Sequence, residues 1–285
     1  MNPLSPLRYP GGKAALSAFL EDVVDLNDLR GGKYYEPYAG GAGAALSLLF
    51  EGTVSEIFIN DMDRRIYSFW NSVLNDPERF CDAIMKIPLT MECWHTQREI
   101  CQRPEEFSSF ELGFAAFFMN RCNRSGVIVG AGPIGGFRQE GKWLMDARFN
   151  REGLVKRIQV IAGVSSAIHL FNLDALVFLK TQLPSGLGRK KVLVYLDPPY
   201  VEKGKRLYYN AYDQGDHAKV ARYLRAQQVL PWVLSYDDTE LIRGLYTDQS
   251  MYPLPIRYSL QKKRAAQELL IAPDHLRLPV RLKRI

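Results

Sequence analysis

Long apolar runs are missing from this sequence. The longest, around Phe114–Met119, is far too short to cross a bilayer, so insertion in a membrane is excluded. The opening residues, MNPLSPLRYPGGK, carry no apolar core of the secretory type, which points to a cytoplasmic protein. Cysteine is scarce: Cys81, Cys93, Cys101 and Cys122 are the four in 285 residues. None of their spacings is the C-x-x-C of a zinc or redox site, and four thiols in a chain of this length do not make a disulfide scaffold. They are expected to be reduced and mostly buried, and no metal is expected. Internal repeats and low-complexity tracts are absent, which removes a solenoid. What is present is a composition 47% hydrophobic and 24% charged, enough to bury a substantial core. The net charge of +6 fits a polyanionic partner without proving one.

The order of periodicities predicts an α/β sheet. Ala14–Leu29 carries Leu16, Phe19, Leu20, Val23 and Val24 at helical spacing, Lys33–Glu36 is a short strand, and Ala42–Phe50 is helical. Val54–Asn60 alternates as a second strand. A helix follows with Ile66, Phe69, Trp70, Val73 and Leu74 on one face. After Asp76 the pattern changes to helices and irregular chain, including an aromatic-rich helix over Phe107–Asn120 and a loop over Arg121–Arg157. That loop holds eight basic and three acidic residues, most of the excess charge. Strands resume at Ala167–Phe171, Val192–Leu196 and Trp232–Tyr236, and Glu268–Ala272 is expected to close the sheet. The predicted organisation is one α/β domain built from 1–75 and 161–285, interrupted by a mainly helical module over 76–160.

Three turns carry chemistry. Glu36-Pro37-Tyr38-Ala39-Gly40-Gly41 joins a strand to a helix, where glycines either let a ligand approach the backbone and the N–H groups of the helix start or simply make a tight turn. Asp61 ends the next strand; it either accepts from ribose hydroxyls or caps the helix that follows. Asp197-Pro198-Pro199-Tyr200 directly follows the apolar strand Val192–Leu196. Two prolines remove two donors, so the turn presents carbonyls. Asp197 and the Pro198 carbonyl suit the two hydrogens of a planar exocyclic amine, with Tyr200 stacked on its ring. Two such acceptors favour a pyramidal nitrogen and stabilise the positive charge that develops as it attacks. In Tyr9-Pro10-Gly11-Gly12-Lys13 the lysine opens a helix against its dipole, which a ligand carboxylate would explain and a solvated surface residue explains equally.

Arg8-Tyr9-Pro10-Gly11-Gly12-Lys13, Glu36–Gly41, Asn60-Asp61 and Asp197–Tyr200, in this order, resemble the D12 class of adenine-specific DNA methyltransferases, the Dam-like family. Weaker matches are Asn120-Arg121-Cys122-Asn123-Arg124-Ser125-Gly126, Pro133-Ile134-Gly135-Gly136 and Glu268-Leu269-Leu270-Ile271. The resemblance implies a Rossmann-like sheet that binds S-adenosylmethionine, no metal, and an inserted target-recognition module. Its implied cofactor residues are Tyr9, Lys13, Glu36, Pro37, Tyr38, Gly40, Gly41, Asp61, Asp174 and Asp197. For Asp174 a helix cap is an equal explanation, and Ala175 departs from the aromatic residue many members carry there. Asp197, Pro198, Pro199 and Tyr200 are the implied catalytic set.

The implied reaction is transfer of a methyl group to the N6 amine of an adenine flipped out of double-stranded DNA. For the DNA face the candidates are Arg121, Asn123, Arg124, Lys142, Arg148 and Arg151 in the insert, with Lys203, Lys205, Arg206 and Tyr208 after the catalytic turn. Competing readings are an N4-cytosine or RNA adenine methyltransferase and a catalytically silent DNA-binding protein of the same fold. The resemblance also leaves open a role in restriction–modification, with a separate endonuclease or other defence protein as partner, and a monomer or weak dimer.

Overall fold

The computed structural model describes residues 4–8, 16–201, 212–254 and 268–279. Along them run α1 (Ser17–Leu26), β1 (Lys33–Glu36), α2 (Gly43–Phe50), β2 (Glu56–Asn60), α3 (Arg64–Asn75), α4 (Pro77–Lys86), α5 (Met91–Gln102) and α6 (Ser109–Cys122). There follow α7 (Arg151–Ala162), β3 (Ile168–Phe171), α8 (Ala175–Gln182), β4 (Val192–Leu196), α9 (Gln214–Arg225), β5 (Trp232–Asp237), α10 (Glu240–Leu245), β6 (Ser250–Leu254) and β7 (Glu268–Ala272). The chain divides into two compact units. One comprises Ala15–Ala39, Ala44–Asn60 and Leu173–Ile285; the other comprises Met1–Ala14, Gly40–Gly43 and Asp61–Asn172.

The first unit is the sheet unit. Its six strands lie in the order β2-β1-β4-β5-β7-β6. β1 runs parallel to β2 and to β4, β4 parallel to β5, and β7 antiparallel to both β5 and β6. Every residue of β4, Val192-Leu193-Val194-Tyr195-Leu196, is buried, as is every residue of β5. Parallel strands covered on both faces read as continuous apolar runs, which is why these two stand out in the sequence. From β1 the chain passes to β2 on one side and, much later, to β4 on the other. The C-terminal ends of β1 and β4 therefore open on the point where strand order reverses, the place where ligands bind in open α/β sheets.

One expectation about this unit needs correction. Glu268–Ala272 does not close the sheet; it lies inside it, between β5 and β6. The edge belongs to Ser250–Leu254, a strand that has no place in the sequence expectation and that contains Pro253. An edge strand tolerates a residue with no N–H to donate.

The second unit is mainly helical, and packing of α3 against α6 makes its core. Ile66, Phe69, Trp70 and Val73 repeat at helical spacing on α3 and are all buried. Phe117 of α6 stacks on Phe69 with ring centroids 5.9 Å apart, and Phe80 of α4 meets Phe117 edge-on at 5.4 Å. Each such ring removed from water contributes about 1.5–3 kcal/mol. Ser108 and Glu111 form a capping box that starts α6, and Asn150 caps α7 through the Gly153 N–H. The stretch read as loop up to Arg157 is thus helical from Arg151, its apolar positions Leu154, Ile158 and Ile161 having been masked by the surrounding charge. All four thiols are unbridged, three of them buried and Cys93 half-buried. Among the described residues no helix is long and apolar enough to cross a membrane.

Close approach of α3 and α6 depends on Gly113. A Cβ there would lie 2.3 Å from the Ser68 carbonyl oxygen and 2.8 Å from the Phe69 nitrogen, both backbone atoms with no room to yield. Gly113→Ala is expected to destabilise the protein by about 1–3 kcal/mol in urea unfolding, as overpacking does. Gly244, in α10, has nothing within 4 Å of the same position, so Gly244→Ala should be neutral or stabilising by up to about 1 kcal/mol.

Candidate active site

In the sheet unit, the turn Asp197–Tyr200 leaves the end of buried β4. Pro198 is buried, whereas Asp197, Pro199 and Tyr200 are half-buried. Two residues of β5 hold this turn. The Ser235 hydroxyl donates to Asp197 Oδ1 at 2.7 Å, and Asp237 Oδ1 accepts from the Val201 N–H at 3.0 Å. Behind them His217 Nδ1 meets the Tyr236 hydroxyl at 2.8 Å, both side chains buried. Burial, together with the carboxylates of Glu36 and Asp197 and the neighbouring Tyr195, pushes the Tyr34 hydroxyl well above its ordinary range. Glu36 itself is buried at the end of β1.

The turn after β1 is stapled in the same unit. Asn60 Nδ2 donates to the carbonyls of Pro37 and Leu173, each at 3.0 Å, and its Oδ1 accepts from the Leu173 N–H at 2.9 Å. The Tyr38 hydroxyl pairs with that of Tyr212 at 2.9 Å. Asp174 is exposed and caps α8, accepting from the N–H groups of Leu176 and Val177. In the sequence Asn60 stands out only as part of the Asn60-Asp61 motif. Its work as a staple has no signature in the sequence, because its partners lie 23 and 113 residues away.

Asp61 and the glycine turn belong to the helical unit. Gly40 and Ala42 both take left-handed backbone, with φ of +48° and +47°. Asp61 Oδ2 accepts from the Gly40 N–H at 2.9 Å and Oδ1 from the Asp63 N–H at 2.9 Å, while the Gly40 carbonyl accepts from the Trp70 indole at 2.9 Å. The cap of α3 is Asp63, so Asp61 is not spent as one. Burial and the neighbouring Asp63 carboxylate push Asp61 up to about 7, against the pull of two N–H donors and Arg65.

The basic insert sorts into two groups. Arg121 is buried and donates to the carbonyls of Arg148 and Pro6, and burial pushes it down to about 10. Asn123 is fully buried, accepting from the Trp94 indole at 2.8 Å and donating to Val127. Arg151 donates to the carbonyls of Ile84 and Ile87 at the end of α4. Arg124, Lys142 and Arg148 are exposed. Beside them Phe137 and Trp143, 60% and 66% exposed, are large rings that the sequence reading passed over. Two of the three weaker motifs pair with each other: the Ile134 N–H donates to the Cys122 carbonyl at 2.8 Å, and the Arg124 N–H to the carbonyl of Gly132, just before the second motif, at 3.1 Å. Asn120 grips the backbone of Arg8, accepting from its N–H at 2.6 Å and donating to its carbonyl at 2.8 Å. Tyr9, Lys13, Lys203, Lys205, Arg206 and Tyr208 lie outside the described residues.

A parallel sheet with a single reversed strand, β7, set between β5 and β6, a glycine turn after β1 and an acid after β2 is the Rossmann-like fold of S-adenosylmethionine-dependent methyltransferases. Residues 9–260 match the family D12 class N6 adenine-specific DNA methyltransferase, and the chain belongs to that family. Comparison with curated proteins gave no match. Among solved structures, a candidate class I S-adenosylmethionine-dependent methyltransferase of Listeria monocytogenes superposes at TM-score 0.36 and 13% identity, too loose a likeness to support any step below. The superposition covers 95% of this chain and 62% of that one. The family's cofactor is S-adenosylmethionine. Among the described residues no group of three or more His, Cys, Asp or Glu is placed to hold a metal ion.

The residues after β1 and β2 fit a nucleoside. A left-handed glycine turn leaves backbone open to close approach, and an acid with a raised pKa gains from hydroxyl donors. Because Asp61 is raised above its unfolded value, folding favours its neutral form, and stability should fall as pH rises from about 4 to about 7. In Asp61→Asn this part of the slope should vanish, as read from urea midpoints across that range. An unchanged slope would assign the titration to another group.

Proposed function

We propose that this chain methylates the N6 amine of adenine at specific sites in double-stranded DNA, taking the methyl group from S-adenosylmethionine and acting on a nucleotide turned out of the duplex. One observation carries the reading: a half-buried carboxylate, Asp197, held by Ser235 at the C-terminal mouth of buried β4, and followed by two prolines that leave carbonyls but no donors. Asp197 and the Pro198 carbonyl accept the two amine hydrogens, and Tyr200 stacks on the purine. As nitrogen becomes pyramidal it gains positive charge, which the two acceptors stabilise more than they stabilise the planar ground state. Bound S-adenosylmethionine supplies an electrophilic methyl on sulfur. Asp61 accepts from its ribose, the Glu36–Gly41 turn wraps it with Asp174 at the adenine edge, and Tyr9 and Lys13 serve its methionine end.

Residues 76–160 form the target-recognition module within a catalytic domain of 1–75 and 161–285. Arg124, Lys142 and Arg148 face DNA phosphates, with Lys203, Lys205, Arg206 and Tyr208 beside the flipped base. The exposed rings of Phe137 and Trp143 lie beside Arg124 and Lys142, a mixture that suits nucleotides better than bulk water. The same reading places the enzyme in the cytoplasm as a monomer or weak dimer, with a restriction endonuclease or other defence protein as an associated partner.

The test incubates the protein with methyl-labelled cofactor and mixed DNA, then identifies the modified nucleoside. N6-methyladenine is expected from wild type and none from Asp197→Ala, which still binds cofactor by calorimetry; labelled cytosine, or turnover in the variant, sinks the reading. The two groups of insert cations make a second prediction. Arg148→Ala should weaken DNA binding and lower the salt slope of log K by about 1, as loss of one phosphate contact does. Arg151→Ala should lower the melting temperature and leave that slope unchanged, because its guanidinium serves α4.

A further inference from the structure

We infer that Ser235 is a positioning residue for methyl transfer, the middle member of a hydrogen-bond relay that runs from Tyr195 through Ser235 to Asp197. The inference rests on the reading of Asp197 given above. Its starting point is register. β4 and β5 pair as Val194 with Trp232, Tyr195 with Val233 and Leu196 with Leu234. One residue past the last pair, Asp197 comes level with Ser235. Side chains alternate along a strand and paired residues share a face, so Tyr195, Asp197, Ser235 and Asp237 all project from the same face of the sheet.

Distances and proton counting then fix the direction of the relay. Ser235 Oγ is 2.7 Å from Asp197 Oδ1 and 2.8 Å from the Tyr195 hydroxyl. A serine hydroxyl has one proton, and the carboxylate form of Asp197 has none. The Ser235 proton therefore goes to Asp197. Its other acceptor, the Leu196 carbonyl at 3.5 Å, is longer and uncharged and loses that competition. Tyr195 must then donate to Ser235, because the serine oxygen has only lone pairs left to offer. Tyr195 and Ser235 are both fully buried. Away from water such bonds strengthen one another, and each donor drawn toward the acid makes the next bond stronger.

The relay does two things for Asp197. It holds one carboxylate oxygen against β5 and so fixes the plane in which the other faces the target amine. It also ties that geometry to the sheet rather than to the proline turn. Asp237, two residues along on the same face, holds the Val201 N–H, so β5 grips the turn at both ends. Tyr195 and Ser235 are given no contact with the base or the cofactor, and their effect reaches the reaction only through Asp197.

Single-turnover methyl transfer, with cofactor and DNA saturating, tests this. Ser235→Ala is expected to slow transfer roughly ten- to hundredfold, the range for a buried hydrogen bond to a charged group. Its cofactor affinity by calorimetry should stay near wild type. Ser235→Thr, which keeps the hydroxyl, should recover most of the rate. In an Asp197→Asn background, where Ser235 meets a neutral amide oxygen instead of a carboxylate, Ser235→Ala should slow transfer far less. A wild-type rate in Ser235→Ala, or an equal loss in the Asp197→Asn background, overturns the relay. Should Ser235→Ala fail to fold, Tyr195→Phe is read by the same cycle, and a loss of several-fold that shrinks with Asp197→Asn is expected. Asp197→Ala separates the two claims: if it turns over, the reading of Asp197 itself fails; if it is dead while Ser235→Ala is unaffected, only the relay fails.

Discussion

Two consecutive prolines at the end of β4 set the terms for the catalytic turn. They stiffen the chain and strip it of two N–H groups, so the middle of the turn offers no backbone donor by which it could be fastened. It is fastened from β5 instead, by Ser235 on the side chain of Asp197 and by Asp237 on the Val201 N–H. The same prolines that expose carbonyls for recognition thus make the neighbouring strand indispensable. A turn of this composition on a strand with no such neighbour would present the same groups without fixing where they point.

A second pair of adjacent residues divides its labour in a comparable way. Asn60 and Asp61 follow one another at the end of β2, yet each serves a different unit. The amide of Asn60 joins the Pro37 turn to the entry of α8, using a neutral group that can both donate and accept. Asp61 gathers the N–H groups of Gly40 and Asp63 and carries the perturbed acid. Neutral glue beside a titrating acid is a sensible arrangement, because the staple keeps its strength at any pH at which the acid changes form.

Much of this was legible in the sequence where chemistry is local. The strand Val192–Leu196 with its Asp-Pro-Pro-Tyr exit, the glycine turn after Glu36 and the Asn60-Asp61 pair announce themselves through neighbouring residues. The helices α1, α3 and α6 were readable from their buried repeats, and the boundaries of β1 and β4 from abrupt changes in polarity. What was not legible depends on partners distant in sequence. Ser235 looks like any small residue in Trp-Val-Leu-Ser-Tyr-Asp until register brings it to a carboxylate 38 positions earlier. Arg121 and Arg151 look like surface cations until their guanidiniums are seen on backbone carbonyls. Strand β6 was hidden by its proline, and α7 by the charges around it.

Finally, the grip of Asn120 on Arg8 bears on how relatives could be recombined. The amide takes both backbone groups of Arg8, and Gly126 packs so tightly on the Arg8 carbonyl that a Cβ there would lie 2.3 Å away. Arg8 adds bonds from its guanidinium to the carbonyl of Asn123. The amino-terminal segment is therefore sewn to residues 120–126 as if to a neighbouring strand. A chimera that exchanged only the stretch between α3 and β3 would tear this seam, and a successful graft would have to carry the leading segment along with its host.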